Sequence, residues 1–122
     1  MNVPKATPEV LGCFAAAVPD APDVEQKKVF GFPACFVNGN MFMGVHGEEM
    51  ILRLGEEKRR QFLADERGLI FEPMPGRPMR EYAVVPRALR ADMAKLDSWV
   101  AESLAYVRAM PPKEKKAKAS RK

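Results

Sequence analysis

Asn38-Gly39, set within FPACFVNGNMFMGV, constrains this chain more than any other feature. A type I′ hairpin turn needs positive φ at both central positions, and Asn-Gly adopts that conformation at the least steric cost. A two-residue loop there pairs Val37 with Asn40, Phe36 with Met41, Cys35 with Phe42, Ala34 with Met43 and Phe32 with Val45. One face of the hairpin then collects Phe32, Ala34, Phe36, Met41, Met43 and Val45. A second tight turn at Gly47-Glu48 sets Met50 opposite Val45, Leu52 opposite Met43 and Leu54 opposite Met41, so the apolar face continues onto a third strand. Two independent turns that agree on one face predict a three-stranded meander.

The other face holds Cys35, Val37, Phe42, His46, Glu49, Ile51 and Arg53, which is too apolar for a wholly solvated surface. A helix of the same chain or a second subunit should cover part of it. Val37, Phe42 and Ile51 are the candidate contacts of a homodimer, each large side chain contributing about 1.5 to 3 kcal/mol on burial.

Around this meander the chain alternates elements. Thr7-Pro8-Glu9 reads as a helix start, with Thr as N-cap and Pro in the first helical position, and PDAPD ends that helix after Val18. GEEKRRQFLADERG reads as a surface helix with acids in its first turn and Gly68 as its C-terminal cap. LIFEP is a strand ending at Pro73, PMPGRPM an irregular loop, and REYAVVP a further strand stopped by Pro86. Leu89, Met93, Leu96, Val100, Leu104 and Val107 then recur at helical spacing, with a kink expected near Asp92. The reading is an α+β domain: an antiparallel sheet of about five strands between N- and C-terminal helices.

With 122 residues there is room for one domain, over residues 1–110, and a short appendage, over 111–122. The appendage carries the charge asymmetry. Lys113, Lys115, Lys116, Lys118, Arg121 and Lys122 face a single acid there, whereas the preceding 112 residues hold 14 basic against 15 acidic side chains. The tail is therefore expected to be disordered when free and to serve first as a solubilising segment, with weak, sequence-indifferent contacts to polyanions or contacts to acidic protein partners as the alternatives; the body has no basic face for nucleic acid. No apolar run approaches the roughly 18 residues of a membrane span, and MNVPKATPEV has no basic stretch leading into an apolar one, so a cytoplasmic protein without membrane contact is expected.

Candidate chemistry is sparse. Cys13 and Cys35 lie far apart and His46 is the only histidine, which falls short of a zinc shell; neither metal nor other cofactor is expected, and both thiols read as reduced and buried. His46 sits opposite Glu49 as a cross-strand polar pair rather than beside Cys35 as a base, because no Asp or Asn is placed to orient the ring. Glu48-Glu49 and Glu56-Glu57 fall at a turn and a helix start, where carboxylates are locally useful. The methionines at 41, 43 and 50 read as core filling rather than an adaptable groove. PMPGRPMREY is the strongest candidate contact loop: Gly76 permits close backbone approach, Arg77 and Arg80 offer forked donors to a carboxylate or phosphate, and Tyr82 adjoins them. The alternative is that Arg77 pairs with Glu81 or Glu72 and the loop is structural.

The segment KKVFGFPACFVNGNMFMGV resembles the signature of the N-terminal domain of the TfoX/Sxy competence-regulator family, in which an FGG-like stretch leads through an aromatic strand into a VNGKMF-like hairpin. The resemblance continues through MILRL and PGRPMREYAVVP and covers roughly residues 8 to 109. FGFPA stands where a second Gly is usual, and Asn40 where Lys is usual. The C-terminal helical domain of full-length competence regulators has no counterpart in this sequence. The resemblance implies a fold similar to secretion chaperones and a regulatory or interaction role, with no catalytic residues to carry over. Two functions are thus expected: a non-enzymatic regulatory or protein-interaction module, or a small anionic-ligand-binding or enzymatic domain that uses the Arg77 loop.

Overall fold

The computed structural model describes residues 4–112; the basic residues from Lys113 to Lys122, and the contacts expected of them, lie outside the described residues. In chain order the elements are α1 (Pro8–Ala17), β1 (Val24–Val29), β2 (Phe32–Val37), β3 (Asn40–His46), β4 (Glu49–Arg53), α2 (Glu56–Asp65), β5 (Leu69–Met74), β6 (Arg77–Val84), α3 (Arg87–Arg90) and α4 (Met93–Arg108). The strands form one antiparallel sheet in the order β1-β2-β3-β4-β6-β5, so the α+β class holds with six strands where about five were expected.

The extra strand is β1. Its sequence, VEQKKV, shows no apolar alternation, and four of its residues are exposed because it is an edge. It joins β2 through Phe30-Gly31, a turn with φ of 54° and 85° that places an aromatic residue where Asn is favoured. PMPGRPM is likewise regular rather than irregular: Pro75-Gly76 closes a two-residue hairpin between Met74 and Arg77, with Gly76 at φ 78°.

Within the predicted meander, Val37↔Asn40, Phe36↔Met41, Met43↔Leu52 and Val45↔Met50 pair as expected. Between Cys35 and Phe36 a β-bulge shifts the register, so Cys35 faces Met43 and Ala34 faces Gly44. One extra residue on β3 turns the faces over. Phe42 joins Met43, Val45, Met50, Leu52, Cys35 and Val37 in the main core, while Met41 leaves that face and packs against Ile51, Phe71 and Tyr82 on the other. The bulge is held from the helix layer, where Ser103 of α4, itself fully buried, places its Oγ 2.8 Å from the Phe42 carbonyl and 2.7 Å from that of Arg53.

The helices cover only one side. Val10, Phe14 and Ala17 of α1, with Leu96, Val100, Leu104 and Val107 of α4, close the main core. The expected N-cap is present, Thr7 Oγ1 accepting from Val10 N at 3.2 Å. The kink near Asp92 is a break: α3 ends at Arg90, and Asp92 caps α4 by accepting from Lys95 N at 3.2 Å. At the end of α2 the left-handed residue is Arg67, φ 58°, and Gly68 serves a different need. A Cβ on Gly68 would lie 2.5 Å from the Phe62 ring, so its bareness lets β5 begin hard against the buried Phe62.

Candidate functional site

The uncovered side of the sheet holds the smaller cluster, Ile51, Phe71 and Tyr82, with Met41 and Val84 against it. Above these residues opens a cleft of about 170 Å³, bounded by Phe30 at the β1–β2 turn and by Phe71, Pro73 and Met79 of the β5–β6 hairpin, with Gly44 and His46 in its floor. A Cβ on Gly44 would meet Ala34 at 3.4 Å and the Met41 sulfur at 3.5 Å, ordinary van der Waals contact. The His46 ring stands 5.1 Å from Phe71, edge to face, and 5.9 Å from Phe32. His46 is opposite Glu49 in register, as expected, yet its contacts are aromatic.

The rim is apolar and exposed. Phe30 is 92% exposed in a left-handed conformation that costs a non-glycine residue about 1–2 kcal/mol. Met74 and Met79 are also exposed. Arg77 and Arg80 lie along the same hairpin, both exposed and, among the described residues, without an ion-pair partner. The acids considered for Arg77 are engaged elsewhere. Glu72 accepts from the Gly76 backbone N–H at 2.5 Å, and Glu81 takes Arg53 Nε at 2.7 Å and the Tyr106 hydroxyl at 3.4 Å.

Of the four residues read as a contact loop, Gly76, Arg77 and Arg80 are together on the hairpin, whereas Tyr82 belongs to the buried cluster. Its hydroxyl donates to the Met41 carbonyl at 3.1 Å, and burial raises the phenol above its ordinary value. Val37, Phe42 and Ile51 do not form one dimer face. Val37 and Phe42 lie in the helix-covered core because the bulge turns them inward, and Ile51 is buried on the opposite side. Sequence reasoning missed Phe30, Phe71 and Met79 as rim residues; Gly31, just ahead of the apolar run from Phe32 to Val37, was the one available sign of a turn there.

Neither thiol is activated. Cys35 is fully buried and desolvation pushes it up to about 11; Cys13 is also raised by burial, and its sulfur approaches only the Arg90 carbonyl, at 3.8 Å. Arg90, whose side chain is 6% exposed, forms an ion pair with Glu9 at 3.1 Å and donates from Nη1 to the Glu48 carbonyl at 3.3 Å, which fastens α3 to α1 and the β3–β4 turn. Among the described residues no three His, Cys, Asp or Glu side chains gather to hold a metal ion, and no helix is long and apolar enough to cross a membrane.

A comparison with curated proteins finds no match. A comparison with protein families matches residues 16–107 to the TfoX N-terminal domain, a span that begins inside α1 and ends within α4, taking in every strand and the cleft. Most of the 122-residue chain being matched, the protein belongs to the TfoX N-terminal domain family, and its general character is that of a regulatory module.

Proposed function

We propose that the protein is a non-enzymatic regulatory module that binds an acidic protein segment carrying one large apolar anchor, which enters the cleft beneath Phe30. The observation that carries this reading is Phe30 itself, 92% exposed at φ 54° on the rim of an apolar cleft. Exposed aromatic surface and left-handed strain both count against the free domain, and docking of an apolar side chain recovers the first of them. About 170 Å³ suits a single large side chain and is below the usual range for drug-sized ligands. Arg77 and Arg80, unpaired among the described residues, supply complementary charge for carboxylates flanking the anchor.

Affinity isolation from native lysate with the wild-type chain and with Met79→Asp tests the reading. Proteins held by the wild type, lost with Met79→Asp and released by salt are expected. Retention that is indifferent to Met79→Asp would remove the cleft from the mechanism. The rival ligand class is a small anion at Arg77, and a thermal-shift screen with phosphates, nucleotides and carboxylates addresses it. Stabilisation by one of these, abolished by Arg77→Ala, would favour a small-ligand domain instead.

A further inference from the structure

We propose that two copies of this chain pair through β1, edge to edge and antiparallel, about a two-fold axis at Gln26. This surface borders the cleft only at Val29 and Phe30, and the inference does not depend on the reading above. β1 ends the sheet, and residues Glu25 to Lys28 are exposed; its pairing with β2 is unbroken from Val24↔Val37 to Val29↔Phe32. A straight, regular edge with unpaired backbone groups is a template for another strand.

The backbone decides which registers are permitted. The Phe30-Gly31 turn joins Val29 to Phe32, so the polar groups of Val29, and by alternation those of Lys27 and Glu25, turn toward β2. Those of Val24, Gln26 and Lys28 then turn outward. The Val24 N–H agrees, donating not to β2 but to the Ala21 carbonyl at 3.2 Å. In an antiparallel pair, outward groups must oppose outward groups. Gln26 can therefore face Gln26 of the second copy, with Lys28 facing Val24 and Glu25 facing Lys27.

The charges choose this register from its neighbours. Glu25 and Lys27 already share a face, 3.6 Å apart within the strand, and in the proposed pair each also meets the opposite charge across the axis. A slip to either adjacent permitted register sets Lys27 against Lys27 or Glu25 against Glu25. The lysines do not merely repel strands, because the pattern Glu25-Gln26-Lys27 is complementary to its own reverse. The occupant it fits is a second copy of the same strand.

Light scattering on the full chain, from micromolar to hundreds of micromolar, is expected to show a dimer. Glu25→Lys alone and Lys27→Glu alone each set like charges opposite one another and raise the dissociation constant about tenfold or more. An equimolar mixture of the two variants restores dimerisation, since every cation then faces an anion; a loss of folding in either variant would not be repaired by mixing. A wild type that is monomeric throughout overturns the proposal. So do single variants that dimerise like the wild type, or a mixture no more dimeric than its components.

Discussion

β1 runs its whole length against β2 in one register, whereas β5 carries Pro73 and shifts register twice against β6, around Phe71. Both are outermost strands of the same sheet, and they differ in what they leave for a neighbour. Proline removes a donor from β5, and the bulges twist its backbone out of line. β1 has no proline, leaves the outward N–H groups of Gln26 and Lys28 for a neighbour while that of Val24 is taken by the Ala21 carbonyl, and offers charges of both signs. Protection at one edge and regularity at the other allow sheet extension in one direction only. Pairing two β1 strands leaves only β5 edges outside, and the assembly closes at two copies instead of growing into a fibre.

The largest expected effect separates the two sides of β1 itself. Lys27→Pro removes an N–H turned toward β2, leaves its acceptor unpaired and should lower stability by up to about 3 kcal/mol, read as a fall in the denaturant midpoint. Gln26→Pro removes an outward N–H and should leave the monomer's midpoint nearly unchanged while abolishing dimerisation. If both prolines were equally harmful, the assignment of inward and outward groups on β1 would be wrong.

At the other edge, Gly68→Ala should cost about 1–3 kcal/mol, because the added methyl meets the Phe62 ring at 2.5 Å where β5 begins. A urea titration checks it. Phe62→Leu in the same chain should recover part of the loss by vacating the contact, which a purely conformational role for Gly68 would not allow.

The smallest effect runs in the favourable direction. Phe30→Asn places a residue suited to positive φ in the β1–β2 turn and should raise stability by roughly 1 kcal/mol, measured by thermal melting. The same substitution should abolish partner binding at the cleft. A variant both more stable and fully competent to bind would show that Phe30 is not an anchor.

Sequence reasoning reached the second and third turns of the sheet because Asn38-Gly39 and Gly47-Glu48 leave few conformations open, and it reached α1 and α4 through Thr7, Pro8 and the apolar spacing from Leu96 to Val107. It could not see the bulge between Cys35 and Phe36. At that bulge the Phe42 carbonyl accepts from Ser103, which is remote in sequence and reaches it only once α4 has packed. The misplacement of Met41, Phe42 and Val37 follows from that single residue of register. β1 was hidden for a related reason: an edge strand with little to bury has no apolar period to read. The cleft is a property of the assembled sheet, since Phe30 and Met79 are brought to one rim by hairpins at opposite ends of the sheet order.

The strand order β1-β2-β3-β4-β6-β5 has a consequence for chain entropy. β1–β2, β2–β3, β3–β4 and β5–β6 are joined by tight turns at Phe30-Gly31, Asn38-Gly39, Gly47-Glu48 and Pro75-Gly76, so each closes a very short loop. β4 and β6 alone meet across an intervening stretch, with Arg53 pairing Tyr82 after α2 and β5 have been threaded between them. Loop closure costs more as the loop lengthens, and the configurational cost of assembling this sheet therefore falls mainly on one seam. Leu54 N and Val85 N close that seam at its two ends, donating to the carbonyls of Glu81 and Met50 at 2.9 and 2.8 Å, and join a four-strand meander to a separate hairpin.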